Sequence, residues 1–339
     1  GSAGSGSTAR ANRPAFERWR IVPRMLRDVS ERDLSTTVLG ATMPAPVLLA
    51  PVGVQTIVHP DGELASARAA AAEGLVFIHS TAAAHSIEQV AEASGDGRRW
   101  YQLYWPNDRD VAASLVGRAE AAGYSVLMVT LDTFVMGWRP TDLDVAYLPF
   151  LQSIGIANYL TAPAFNAPLP ADAQPFDKVF RWAGIFGNPS LTWADLAWLR
   201  EQTSLPVVLK GVLHPDDARA AVDAGVDGLV VSNHGGRQVD GAIAALDALP
   251  AVLDAVGDTM PVLLDSGVRT GADVVKAIAL GAAAVLLGRP YIYGLGLGGQ
   301  AGVEHVLRCL LGEMDVTMAL SGRRTLAELG RDVVVTAPA

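Results

Sequence analysis

The sequence predicts an α/β protein, a closed (β/α)₈ barrel of the TIM type, and two observations carry that expectation. From Pro46 onward short apolar runs alternate with alanine-rich segments of helical length, the rhythm of a βα repeat. Eight such runs occur, and their two-sided apolar character suits strands packed inside a ring of helices. The expected strands are 47–52, 75–78, 100–104, 126–131, 206–209, 228–231, 262–264 and 284–287. An open doubly wound sheet is the competing arrangement. Ala50-Pro51-Val52-Gly53-Val54-Gln55 is not the G-x-G-x-x-G turn that would open its nucleotide-binding unit.

The expected helices are 62–72, 87–93, 110–122, 193–202, 215–224, 242–256, 271–280 and a last one near 303–311. Asp108, Asp110, Thr192 and His214-Pro215 supply N-terminal signals, and Gly74, Gly123, Gly225 and Gly281 stand where helices should stop. Residues 1–7, all Gly, Ser and Ala, fit an appended linker and a natural flexible loop equally. Residues 1–45 read as an N-terminal cap on one domain of 1–339. The interval 134–192, rich in Pro, Ala, Asn and aromatic residues, reads as a long lid loop after the fourth barrel strand.

Composition narrows the function. With 339 residues, 50% hydrophobic and 18% charged, the chain can bury one large core. A net charge of −9 disfavours nucleic acid, and no basic run suggests a membrane patch. Cys309 is the single cysteine, which excludes an internal disulfide and points to a reducing, cytoplasmic setting. No cluster has metal-ligand spacing, so no metal is expected.

Barrel chemistry gathers at the C-terminal ends of the strands, and those ends are loaded here. They carry Gly53; Ser80 and Thr81; Gln102 and Tyr104; Thr130 and Asp132; Lys210; His234 and Arg237; Asp265 to Arg269; and Gly288 with Arg289. Singly, Tyr104 reads as a rim aromatic, Asp132 as a helix cap and Lys210 as a surface lysine; together on one rim they do not. His234 can take a proton near neutral pH, and Arg237 offers a planar fork to a carboxylate or phosphate. The glycine- and arginine-bearing ends of strands seven and eight suit a phosphate, whether of a sugar, a nucleotide or flavin mononucleotide. The remaining histidines, His59, His79, His85, His214 and His305, read as structural.

Five stretches carry a family resemblance. Ser232-Asn233-His234-Gly235-Gly236-Arg237-Gln238, Leu264-Asp265-Ser266-Gly267-Val268-Arg269-Thr270-Gly271, Leu287-Gly288-Arg289-Pro290, Tyr101-Gln102-Leu103-Tyr104 and Leu131-Asp132-Thr133 together resemble the FMN-dependent 2-hydroxy acid dehydrogenases and oxidases. Gly137-Trp138-Arg139-Pro140, Arg18-Trp19-Arg20-Ile21-Val22-Pro23-Arg24 and Pro51-Val52-Gly53-Val54 are most similar to the lactate 2-monooxygenase branch.

The resemblance implies FMN as cofactor, a small L-2-hydroxy acid such as L-lactate as substrate, O2 as acceptor and a homotetramer or larger assembly. His234 would be the base and Asp132 its partner, with Arg139 and Arg237 binding the carboxylate and Tyr104 the substrate. Pro51, Val52, Gly53, Ser80, Gln102, Thr130, Lys210 and Ser232 would line the flavin, with Lys210 near the N1 and O2 edge. Asp265, Gly267, Arg269, Gly288 and Arg289 would hold its ribityl phosphate. Two departures stand out. The family has a substrate-contacting tyrosine near its N-terminus, and no tyrosine precedes Tyr101 here. Gly53 occupies a position often held by alanine and is expected to leave room over the flavin, which suggests decarboxylation to acetate in the site rather than release of H2O2. The competing readings are another FMN or nucleotide barrel, of the inosine monophosphate dehydrogenase or isopentenyl diphosphate isomerase type, and a flavin-binding protein without turnover. The first would want a loop cysteine, whereas Cys309 is expected in a structural place on a late helix.

Overall fold

Residues 1–337 are described by this computed structural model, and the chain opens with order rather than a free tail. Ala3 N donates to Gly236 O and Gly4 N to Trp138 O, at 2.9 and 2.8 Å. The Asp240 carboxylate accepts from Ser5 N and Ser7 N. Composition alone hid this docking, because backbone donors and a remote carboxylate make it. Helix α1 (Ser7–Glu17) then buries Asn12, Ala15 and Phe16. Strand β1 (Trp19–Ile21) follows, then a hairpin of β2 (Thr36–Val38) and β3 (Ala41–Met43).

Eight parallel strands close the barrel. They are β4 (Val47–Leu49), β5 (Val76–Ser80), β6 (Arg99–Leu103), β7 (Leu127–Thr130), β8 (Val207–Val212), β9 (Gly228–Val231), β10 (Val262–Leu264) and β11 (Ala284–Leu287). The ring shuts where β11 pairs with β4, Val285 opposite Val47. Nearly every residue of these strands is buried, as a sheet covered on both faces requires. A last strand, β12 (Val334–Thr336), pairs antiparallel with β1.

The outer helices follow the expected order. Helices α2 (Gly62–Ala72), α3 (Ile87–Ser94) and α4 (Arg109–Ala121) cover the first strands. Asp108 caps α4 by accepting from Val111 N, and Ser86 with Gln89 forms a capping box on α3, each cap worth about 1 kcal/mol. Residues 134–192 contain α5 (Pro140–Asp144), α6 (Ala157–Leu160), α7 (Pro163–Asn166) and α8 (Pro175–Ile185). Proline opens three of these four, so the composition that reads as irregular also starts short helices. Then come α9 (Asp195–Glu201), α10 (Pro215–Asp223), α11 (Ala245–Val256), α12 (Gly271–Ala279) and α13 (Arg289–Leu320), the last kinked at Gly298 and Gly299. It is far longer than the 303–311 expected, because two helices join at that glycine pair. Cys309 lies exposed on α13 beside His305, a surface position rather than a packed one. Among the described residues no helix is long and apolar enough to cross a membrane.

Candidate active site

The exits of β7, β8 and β9 bring three ionisable groups together. His234 Nδ1 lies 2.7 Å from Asp132 Oδ1; a carboxylate only accepts, so Nδ1 donates and Nε2 is the nitrogen turned away from it. Thr133 Oγ1 donates to the same carboxylate oxygen at 3.0 Å. On the other side of the ring the Tyr104 hydroxyl is 3.4 Å from Nε2. Burial alone would raise the Asp132 carboxyl, but His234 and Lys210 hold it below the ordinary carboxylate value. The Tyr104 phenol is pushed up by burial and stays protonated.

A break in register between β8 and β9 falls at Lys210 to Val212. Gly211 there has φ +110°, and a Cβ on it would sit 2.8 Å from Asp132 Cβ. Glycine is therefore what lets Asp132 pack against the bulge. Lys210 is buried, and its Nζ bonds Ser232 Oγ at 2.9 Å and Asp265 Oδ2 at 3.0 Å. Burial would lower this ammonium, but Asp265 and Asp132 hold it above its ordinary value.

Two arginines come from opposite loops. Arg139 Nε donates to Arg237 O at 2.9 Å and its Nη2 to Gln238 Oε1 at 2.7 Å. Burial depresses both guanidinium groups, and for Arg237 the nearness of Arg139 adds to it. Arg237 reaches Asp142 only at 4.0 Å. Such a pair of half-desolvated cations favours an anion.

Across the barrel mouth, Ser80 Oγ donates to Gln102 Oε1 and Gln102 Nε2 to Thr130 Oγ1, both at 2.9 Å. Pro51, Val52 and Gly53 follow β4. A Cβ on Gly53 would lie 2.6 Å from Ala82 O, so this glycine answers a close approach of two loops rather than leaving open room, a correction to the expectation from sequence. Gly267 and Gly288 accompany Arg269 and Arg289 at the exits of β10 and β11. Arg269 donates to Val268 O and Arg289 to Gly235 O, and neither has a carboxylate partner among the described residues. Burial lowers Arg269, and the neighbouring Arg289 and Arg13 lower it further. A cavity of about 650 Å³ opens beside Asp132, walled also by Trp105, Leu131, Trp193, Val212 and Asn233. Arg139, Lys210, Arg237 and Arg289 are not among its walls.

All predicted site residues thus lie on one rim. Sequence reasoning missed the tethers among them: Thr133, Ser266, which accepts from Gly235 N at 3.0 Å, and Gln238, whose Nε2 donates to Asp132 O. Gln238 and Ser266 stood inside the recognised motifs without a role. Asn12 gave no signal at all.

An imidazole backed by a carboxylate, paired cations beside it and a second cation group next to glycine-rich strand ends suit a barrel enzyme with an anionic substrate and a phosphorylated cofactor. A family model described as FMN-dependent dehydrogenase matches residues 1–336. An FMN-dependent alpha-hydroxy acid dehydrogenase of Schizosaccharomyces pombe is 48% identical, over 98% of this chain and 85% of that one. An L-lactate oxidase of Lysinibacillus sphaericus is 45% identical, over 96% and 84%. A crystal structure of mandelate oxidase with (S)-4-hydroxymandelic acid superimposes with a TM-score of 0.88 at 40% identity, covering 99% of this chain and 92% of that one. The chain belongs to the FMN-dependent dehydrogenase family, that of the 2-hydroxy acid oxidases, and FMN is its cofactor. The residues fit that group: crowded guanidinium groups without carboxylate partners for a phosphate, a buried ammonium, and an amide flanked by hydroxyls.

Proposed function

We propose that this enzyme oxidises a small aliphatic L-2-hydroxy acid, L-lactate in the first instance, to the 2-keto acid with O2 as the final acceptor. The observation that carries the reading is the pairing of His234 Nδ1 with Asp132 at 2.7 Å, which turns Nε2 toward Tyr104. Arg139 and Arg237 bind the substrate carboxylate and set the hydroxyl-bearing carbon near His234. His234 Nε2 takes a proton from the substrate, and the Asp132 carboxylate stabilises the resulting imidazolium. Tyr104, protonated, donates a hydrogen bond to substrate oxygen. FMN, when bound, would supply the two-electron acceptor through which O2 is reduced. Lys210, held charged, would stand at the flavin edge where negative charge develops, and Ser80, Gln102, Thr130 and Ser232 would border the ring with Pro51, Val52 and Gly53. Asp265, Gly267, Arg269, Gly288 and Arg289 would hold its ribityl phosphate end.

A small substrate suits the aromatic packing around Tyr104. Phe186 lies 5.3 Å from its ring, and Phe150 and Trp182 stack at 4.6 Å behind it. These residues belong to 134–192, which we read as the lid. An aromatic 2-hydroxy acid is the second reading, favoured by the mandelate oxidase likeness. In the monooxygenase outcome lactate and O2 give acetate, CO2 and water; in the oxidase outcome they give pyruvate and H2O2. Of the two we favour the first, on the lactate 2-monooxygenase resemblance of 18–24 and 137–140. Anaerobic addition of L-lactate to the FMN-loaded enzyme should bleach the flavin, and readmitted O2 should yield acetate. Bleaching by (S)-mandelate alone would move the substrate to the second reading, and stoichiometric peroxide would exclude the monooxygenase outcome.

A further inference from the structure

His234 sits in the left-handed region at φ +57°, followed by Gly235 at +64° and Gly236 at +76°. A histidine there carries strain that glycine would not, so its surroundings must hold it. Three side chains do so. Ser232 Oγ accepts from His234 N at 3.0 Å, Ser266 Oγ from Gly235 N at 3.0 Å, and Asn233 Oδ1 from Gly236 N at 3.1 Å. The carboxamide of Asn233 therefore closes the reversal that presents the ring.

Asn233 is held in turn from the far end of the chain. Asn12 Nδ2 donates to Asn233 Oδ1 at 2.9 Å, and Asn233 Nδ2 donates back to Asn12 Oδ1 at 2.7 Å. Both residues are buried, at 2% and 5% exposure. Asn12 Oδ1 also accepts from Ala245 N at 3.2 Å, and Asn233 Nδ2 reaches Ile243 O at 3.1 Å. Only a carboxamide offers a donor and an acceptor side by side in this way. In a dry setting each half of the pair needs the other.

We propose that Asn12 is a positioning residue for His234. Through the reciprocal amide pair it fixes Asn233, which fixes the reversal and so the direction of Nε2, while its own carboxamide is taken up by Asn233 and Ala245. The inference rests on the reading of His234 as the base. Its consequence is that α1 belongs to the catalytic machinery at one remove.

The test compares FMN-loaded wild type, Asn12→Ala, Asn12→Asp and His234→Gln. Two readouts are taken: turnover per bound flavin with whichever of L-lactate and (S)-mandelate the wild type uses, and amide hydrogen exchange over 233–237 and 284–287. Loosening the reversal should lower turnover in Asn12→Ala about tenfold while KM stays within about threefold, because direction rather than binding is lost. Exchange at 233–237 should quicken about tenfold with 284–287 unchanged, since only the local opening becomes easier. Wild-type turnover per bound flavin, or unchanged exchange, would overturn the inference. Should Asn12→Ala not fold, Asn12→Asp is judged by the same criteria: it still accepts from Asn233 Nδ2 and Ala245 N but cannot donate to Asn233 Oδ1. His234→Gln separates the two levels. Retained turnover there removes the base itself, whereas loss there with full activity in the Asn12 variants removes only the positioning.

Discussion

Two histidines, one at the barrel mouth and one behind β5, show what the same side chain becomes in two settings. His234 has a carboxylate on one nitrogen and its second nitrogen turned toward Tyr104. His79 is fully buried, and its Nδ1 meets the Tyr124 hydroxyl at 3.0 Å, while that hydroxyl donates its own proton to Ile87 O. No carboxylate touches His79, its Nε2 has no partner among the described residues, and burial pushes its pKa down to about 4. Position and partner differ together: past the end of β9 an anion within hydrogen-bond reach suits a ring to take a proton, whereas inside β5 a neutral phenol in a dry core leaves a packing residue.

The largest effect that would sharpen the contrast comes from the mouth. His234→Gln should cut kcat about 10³-fold, in the range of a lost general base, with the melting temperature unchanged; steady-state oxidation and a thermal melt check both. Asp132→Asn should cost about 100-fold in kcat, because the imidazolium loses its counter-charge while the shape stays. Equal activity of the two variants with wild type would dissolve the contrast.

The core histidine should act on stability instead. Its folded-state pKa lies below the ordinary 6.5, at about 4, so the unfolded chain binds the proton first. Stability is full above pH 6.5 and falls as pH drops toward 4, by about 3 kcal/mol from this one group. Urea midpoints between pH 7 and 4.5 should show that slope in wild type and a shallower one in His79→Phe. The smallest effect concerns the two loops that meet at Gly53. Gly53→Ala must push Ala82 O away from 2.6 Å, which should cost roughly 1–3 kcal/mol and loosen FMN binding, measured by melting and by flavin fluorescence.

The barrel was legible because eight apolar runs and their helix stops recur in order, and chemistry confined to strand ends marks a rim in sequence as in space. Asp132, Arg139, Lys210, His234 and Arg289 could be picked out for that reason. Other features carry no periodic signal. The docking of 1–7 depends on Asp240, more than 230 positions away. The Asn12 pair spans 221 positions, and an asparagine in a short polar helix looks like any solvated one. At Gly53 sequence suggested open space, whereas the observed tight approach depends on where Ala82 O falls, which only the closed ring determines.

In the proposed mechanism His234 draws the proton whose removal lets electrons pass to the flavin. Anaerobic rapid mixing of FMN-loaded wild type and His234→Gln with L-lactate, followed at the oxidised-flavin band, tests it in a single turnover. Prompt bleaching in wild type and an essentially unreduced flavin in the variant is the predicted result. Equal bleaching in both, or a wild-type flavin that stays oxidised with L-lactate and (S)-mandelate alike, would contradict it.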